Sequence, residues 1–467
     1  MSSGNFLAPA EPAWFEWHAG LTHGDYVMAR YRVGSSLAGR ETALGMAMEQ
    51  SAATTRIAGH VEPAQLAAWT IRIRAIRPLP AEAPAEVAPY SLHTEVYGKE
   101  VGAGRSGEFA EHCSVPAQPV GCAKPTVGCT ANAFEIELAV PLRLLAGKPA
   151  QLWNILVGEL PRLGFLSRFR LTGVDLPADF GPGPAFGIAG IRERLAVPRG
   201  PLLCRSMRPA VGLDVATMAR LNREVLGGGF HLVKDDELQV FVDATAYASH
   251  VAAMVAARDE AMAASGERKG YVANLICEPD ELEERWQICR RHGVDGVLVA
   301  PFIQGLGTVA HLARRRELPI LAHNSLGELF TRHPGWAVDD AVCIDWLRHL
   351  GADWFVTPGG FGEAPPSADQ RAALAAGAAP RAGLRPLLPI VQGGKEPAGL
   401  PRYRQAAGGD DFMLIVASWV DRHADGIAAG ARQFRAALRD GLPPLRGDGI
   451  AGVPSRDPAG EPPRPCP

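Results

Sequence analysis

The chain has 467 residues, a length for two or three domains rather than one. Its 47 Lys+Arg against 50 Asp+Glu leave a formal net charge of −3, which gives no electrostatic footprint for nucleic acid or an anionic membrane. Hydrophobic residues at 47% can build sizeable cores, no apolar run approaches the roughly 20 residues of a membrane span, and eight scattered cysteines are too few for a disulfide framework. The opening MSSGNFLAPAEPAWFEW has neither a basic start nor an apolar core, so it does not read as a signal peptide and a cytoplasmic protein is expected.

In chain order, DYVMARYRV alternates as a strand and ETALGMAMEQSA has helical spacing. AAWTIRIRAIRPL, AFEIELAVPL and QLWNILVGEL then read as strands, giving a mixed α+β unit. Gly98 to Gly128, rich in Gly and Pro, reads as an exposed loop. It carries His112, Cys113, Cys122 and Cys129, whose spacing lacks the close pairs of a zinc site, so reduced cysteines are expected. A Pro/Gly-rich junction follows from Gly181 to Gly200.

From Pro201 short apolar runs alternate with amphipathic helices: LLCRSMRPA, FHLVKDDE, YVANLICEP, VDGVLVAPF, LPILAHN, DWFVTPG, LRPLLPIVQGG and DFMLIVAS. Eight strand–helix units in about 240 residues fit a (β/α)₈ barrel; an open doubly wound sheet is disfavoured because no G-x-G-x-x-G follows a first strand. The expected architecture is α/β: an α+β ferredoxin-like N-terminal domain (20–165), a C-terminal TIM barrel (200–440), and a Pro/Gly-rich disordered tail (442–467).

Chemistry in such a barrel sits where strands end. Strand one ends in Arg208-Pro209-Ala210, strand two in Lys234-Asp235-Asp236-Glu237, and strand three carries Asn274. Strand five ends in His323-Asn324, strand seven in Gln392-Gly393-Gly394-Lys395, strand eight in Ala417-Ser418. The strand-two group is the densest. Alternation puts Lys234 and Asp236 on one face and Asp235 on the other, with Glu237 beyond the strand. Two carboxylates plus one more oxygen suit Mg²⁺, and a lysine supplies that oxygen only as a carbamate. A solvated charge run is the alternative.

GGGFHLVKDDE resembles the active-site motif of the ribulose-bisphosphate carboxylase large chain, and SGERKGYVANLI (Ser265–Ile276) resembles that family's third-strand segment. The resemblance covers about residues 20–440. It implies that Lys234, carbamylated by CO₂, binds Mg²⁺ with Asp236 and Glu237. It also implies that Glu49, in AMEQSAATT, completes the site of a neighbouring subunit, that Thr54 contacts phosphate, and that the protein is a homodimer or larger.

The departures from that family bear on function. Its strand-one Lys-Pro-Lys is Arg208-Pro209-Ala210 here, and its strand-five His-Arg is His323-Asn324. Its strand-six histidine aligns with Val356, its loop-six lysine with Glu363, its N-terminal-domain asparagine with Glu159, and its strand-eight glycine run with Val416-Ala417-Ser418. A phosphate dianion needs several charge-assisted hydrogen bonds, each worth about 1.5–3 kcal/mol, and one of the two phosphate sites has lost both its Arg and its His. A bisphosphate is therefore expected to bind poorly, and a carboxylate at position 363 opposes CO₂ polarisation.

The chain thus resembles the RuBisCO-like, form IV branch, which enolises rather than fixes CO₂. Carried over, Lys234, Arg208, His323 and Glu49 are candidate catalytic residues, and Thr54, Asn324, Gly393, Gly394 and Lys395 candidate contacts to a phosphorylated keto sugar acid. Among form IV activities, the preferred expectation is a 3-oxo-isoapionate-4-phosphate transcarboxylase/hydrolase, whose substrate brings its own carboxyl group. The alternatives are the methionine-salvage 2,3-diketo-5-methylthiopentyl-1-phosphate enolase, methylthioribulose-phosphate isomerase, and a non-catalytic relic of the fold.

Overall fold

The structure is a computed structural model and describes residues 12–51, 66–82, 131–357, 368–439 and 442. Strand β1 (Tyr26–Ser35) pairs antiparallel with β3 (Ala131–Pro141) and with β4 (Leu166–Asp175), and β2 (Arg72–Glu82) lies on the far side of β3. The order β4-β1-β3-β2, with helices between β1 and β2 and between β3 and β4, is the ferredoxin-like arrangement expected from sequence. The helix Gly39–Ser51 covers the sheet through Ala43, Met46 and Ala47, spaced i, i+3 and i+4.

QLWNILVGEL, read as a strand, is instead the helix Ala150–Leu156. Leu152 and Leu156, four apart, both bury; in so short an apolar run, helical spacing and alternation are hard to tell apart. Strand β4 (Leu166–Asp175) lies past the expected boundary at residue 165.

The following strands are β5 (Leu202–Ser206), β6 (Leu232–Lys234), β7 (Gly270–Asn274), β8 (Gly296–Val299), β9 (Ile320–Ala322), β10 (Trp336–Val338), β11 (Trp354–Val356), β12 (Leu388–Val391) and β13 (Met413–Val416). All but β10 are parallel neighbours in one closed eight-stranded barrel, in the order β5-β6-β7-β8-β9-β11-β12-β13. The α/β expectation of a TIM barrel behind an α+β domain therefore holds. Strand β10 leaves the barrel and pairs in parallel with β4, Trp336 opposite Phe169, stitching the two halves together.

The barrel interior is filled by Leu202, Leu232, Val272, Leu298, Leu388 and Met413, among others. The helix Gly187–Leu195 plugs its lower end with Ile188, Ile191 and Leu195. Buried Asp353 holds that plug: its Oδ1 accepts from the N–H groups of Phe186 (2.7 Å) and Gly187 (2.8 Å), and its Oδ2 from Ile320 N–H (3.1 Å). The first two are orphan donors at the helix N-terminus, and the third belongs to the start of β9. Plugged below and filled through its middle, the barrel leaves only its upper rim for chemistry.

Among the described residues no helix is long and apolar enough to cross a membrane. The Gly98–Gly128 loop with His112, Cys113, Cys122 and Cys129, and the expected disordered tail beyond Leu442, lie outside the described residues.

Candidate active site

Strand β6 is only three residues long, and its ladder bonds to β5 and β7 bring Lys234 to the barrel rim. Lys234 is 1% exposed; its Nζ donates to Asp235 O (3.0 Å) and to Glu237 Oε2 (3.2 Å). The two aspartates diverge, as strand alternation requires. Asp235 turns into the wall, where its Oδ1 meets His250 Nε2 (2.9 Å) and its Oδ2 accepts from Tyr271 Oη (2.7 Å) and Asn274 N–H (2.9 Å). Asp236 turns to the mouth. Its Oδ2 accepts from Ser206 Oγ (3.1 Å) and Arg208 Nε (2.8 Å), and its Oδ1 from Leu238 N–H (3.1 Å).

Glu237 closes the group. Its Oε1 accepts from Arg208 Nη2 (3.2 Å), and its Oε2 lies 3.3 Å from His323 Nε2 as well as against Lys234. Burial disfavours the charged carboxyl, but Lys234 and His323 outweigh it and hold the pKa down to about 2. Buried Arg205 fixes the neighbouring backbone by donating to Arg208 O (2.9 Å) while its Nε pairs with Asp421 (2.9 Å).

His323, at the end of β9, is oriented by Ser325, whose N–H (3.2 Å) and Oγ (2.8 Å) both meet Nδ1. With Nδ1 accepting from the backbone, the proton of the neutral ring sits on Nε2. Burial, then the Lys234 charge, push its pKa down to about 4. Nε2 is buried without a hydrogen-bond partner, within ion-pair reach of Glu237 but misaligned for a hydrogen bond.

Across the mouth, Gly393 (φ +86°) and Gly394 (φ +60°) both take the left-handed region, which favours glycine at each. They deliver Lys395, 4% exposed, with Nζ 5.0 Å from the Tyr403 ring; burial pushes its pKa down to about 8. A cavity of about 330 Å³ joins these parts, lined by Ser206, Arg208, Glu237, Asn324, Gly393, Gly394, Lys395 and Trp419 among others.

Six candidate site residues, Arg208, Glu237, Asn324, Gly393, Gly394 and Lys395, thus line one cavity, and Lys234, Asp236 and His323 adjoin it through Glu237 or Arg208. Glu49 does not join them within one chain: it sits half-buried on the helix Gly39–Ser51, whereas the described cavity residues all belong to the barrel. Thr54 and Glu363 lie outside the described residues. Glu159 is an exposed ion-pair partner of Arg162, and Val356 is core. Sequence reasoning missed Ser206, which touches Asp236, and Ser325, which sets the His323 tautomer; each lies within two residues of a flagged one, the available signal.

The donor set fits an oxygen-seeking divalent cation under one condition. Among the described residues no three His, Cys, Asp or Glu side chains converge as a metal group, so Asp236 and Glu237 need a third protein oxygen. An ammonium cannot ligate, whereas a carbamate on Lys234 supplies that oxygen within the same cluster. The unpartnered Nε2–H of His323 beside it suits a negatively charged oxygen of a bound molecule.

A family model described as ribulose bisphosphate carboxylase large chain, catalytic domain, matches residues 187–364. The chain is 31% identical over 295 residues to a 5-methylthioribulose-1-phosphate isomerase of Rhodospirillum rubrum, covering 61% of this chain and 75% of that protein. It is 29% identical over 312 residues to a ribulose bisphosphate carboxylase-like protein of Archaeoglobus fulgidus, covering 65% and 70%. Among solved structures it matches the rubisco-like protein MtnW of Alicyclobacillus acidocaldarius with TM-score 0.72 at 25% identity, covering 90% and 95%. The octameric Rubisco of Pyrococcus horikoshii, TM-score 0.73 at 21% identity over 92% of both chains, shares the fold. With the lysine–acid cluster on the second strand of such a barrel, the chain belongs to the ribulose bisphosphate carboxylase large-chain family, among its RuBisCO-like proteins.

Proposed function

We propose that this protein is a Mg²⁺-dependent enolising enzyme acting on a phosphorylated keto sugar acid, and not a CO₂-fixing carboxylase. The substrate we favour is 3-oxo-isoapionate 4-phosphate, handled by transcarboxylation and hydrolysis. One observation carries this reading: a single cavity of about 330 Å³ is lined both by Glu237 and Arg208 and by Gly393, Gly394 and Lys395. That lining offers proton chemistry and an anion-binding group within one cavity of a size for a small sugar acid.

Bound by Asp236, Glu237 and a Lys234 carbamate, Mg²⁺ would supply Lewis-acid stabilisation of the charge that develops when a proton leaves the carbon beside a ketone. The carbamate oxygen of Lys234 is the candidate base for that proton. His323 holds its proton on Nε2 and donates to the oxygen that becomes negative, aligned by Ser325 through Nδ1. Arg208, tied to Asp236 and Glu237 and half exposed, orients the substrate carboxylate. Lys395 and the N–H groups of the glycine turn take the phosphate. Burial of Lys234 and His323 keeps water from the abstracted proton. Glu49 and Thr54 would act from a partner subunit, which makes a homodimer the smallest working unit.

The methionine-salvage reading, as enolase or isomerase, is the second choice; the names of two relatives favour it, and Ile415, Ala417 and Trp419 could receive a methylthio group. Proton and phosphorus NMR with Mg²⁺, bicarbonate and 3-oxo-isoapionate 4-phosphate distinguishes the two. Conversion to phosphoglycerate and glycolate by wild type, and not by Lys234→Ala, is the expected result. Turnover of the methylthio diketone phosphate, with none of the sugar acid, would replace our substrate assignment.

A further inference from the structure

The face of the barrel opposite the mouth carries a second charged cavity, of about 340 Å³, at the N-terminal ends of β5, β6 and β13. Four arginines line it, Arg199, Arg404, Arg435 and Arg439, against one carboxylate, Asp410. Asp410 is engaged by Arg404, with Nε 2.6 Å from Oδ1. At its inner wall lies His231, 2% exposed.

The hydrogen bonding of His231 is unbalanced. Its backbone N–H donates to Leu203 O (3.0 Å), and its Nδ1 accepts from Leu203 N–H (2.9 Å). A ring whose Nδ1 accepts carries its proton on Nε2. Yet Nε2 faces Nη1 of Arg435 at 2.6 Å, so two donors meet with no acceptor between them. Nε of the same Arg435 is buried without a partner. Protonating the ring worsens the arrangement, and burial beside Arg435 pushes the His231 pKa down to about 3. A buried donor left unpaired costs about 1–3 kcal/mol, so such a cluster calls for an acceptor.

We propose that this cavity is an anion site for a small phosphate-bearing molecule, separate from the substrate site. Phosphate oxygens would accept from His231 Nε2–H and Arg435 together, with Arg199 and Arg439 closing from the rim. The cavity volume falls at the lower end of the range for small-molecule sites, about 300–1,000 Å³. His231 immediately precedes β6 and Lys234 ends it, so one three-residue strand separates this cavity from the catalytic lysine. An occupant here is an effector placed to act on that strand, and not a reactant.

Calorimetric titration of the full chain with inorganic phosphate, at constant ionic strength set by chloride, tests this. Wild type should bind with millimolar affinity. Arg199→Gln/Arg439→Gln, which changes two exposed side chains, should weaken that binding about tenfold or more, as expected for lost charge-assisted hydrogen bonds. Lys395→Met, which alters only the mouth, should leave it in place. The Nε2–H proton resonance of His231 should shift on phosphate addition in wild type. Binding unchanged in the double variant, binding lost in Lys395→Met, or no binding at all would each overturn the proposal. Repeating the double variant in the Lys395→Met background removes phosphate bound at the mouth from the comparison, so the outcome does not rest on the proposed substrate.

Discussion

Arg208 lies across both acids of the mouth, its Nε 2.8 Å from Asp236 Oδ2 and its Nη2 3.2 Å from Glu237 Oε1. Asp236 is fully buried while the Arg208 side chain is half exposed, so the cation is the partner free to move. A guanidinium and a divalent ion compete for the same two carboxylates. Arg208→Ala should therefore melt at a lower temperature than wild type without metal, because a buried carboxylate loses its counter-charge. The same variant should bind Mg²⁺ or Mn²⁺ about tenfold more tightly, a gain of about 1.4 kcal/mol. Calorimetry with Mn²⁺ and thermal melts with and without metal check both signs; weaker metal binding in the variant would show that Arg208 does not compete.

The neighbouring aspartates should separate cleanly. Asp235 anchors β6 to His250, Tyr271 and Asn274, all buried, and touches no mouth residue in these bonds. Asp235→Ala leaves those donors facing an empty wall and should cost about 3–5 kcal/mol in urea unfolding. Asp236→Asn should cost far less stability yet abolish the Mg²⁺-dependent rise in melting temperature. Equal stability losses in the two variants would contradict the division of labour.

The barrel was legible because each strand is a short apolar run bounded by polar residues and followed by an amphipathic helix, a pattern that needs no partner to be recognised. Strand β10 was not. Trp336–Val338 is a three-residue run directly following Pro334-Gly335, and it is a strand only because β4, 167 residues earlier by register (Trp336 opposite Phe169), offers an edge. At the site, alternation along β6 separated Asp235 from Asp236 correctly. It could not name what Asp235 binds, since His250 and Tyr271 reach it from a helix and a neighbouring strand. Whether Arg208 or solvent would balance Asp236 was equally hidden, because it depends on Arg205 holding the Arg208 carbonyl.

His323 makes the protein acid-sensitive in a defined window. Its folded pKa of about 4 lies below the ordinary 6.5, so between those values the unfolded chain holds more protons than the native one. Stability contributed by the neutral ring is present above pH 6.5 and is lost as pH falls toward 4. His323→Gln removes that titration, so wild type should lose melting temperature relative to the variant steadily as pH falls from 6.5 toward 4, and the difference should be flat above it. A difference that stays constant from pH 7 to 4 would mean that the ring is not buried neutral.

Lys395 sets the opposite limb. Burial lowers its pKa from 10.5 to about 8, so between those values the unfolded chain binds the extra proton and native stability rises with pH. Below pH 8 the fold carries a buried ammonium, and Lys395→Met should melt higher than wild type at pH 7, with the gap closing as pH approaches 10. If that ammonium holds the substrate phosphate, KM for a phosphorylated substrate should rise in wild type above about pH 8, where Lys395 loses its charge. In Lys395→Met, KM should be about tenfold or more higher and flat across the same range, with kcat much less affected, because a binding contact and not the proton transfer has been removed. Parallel loss of kcat in the variant would move Lys395 from phosphate binding to the chemistry itself.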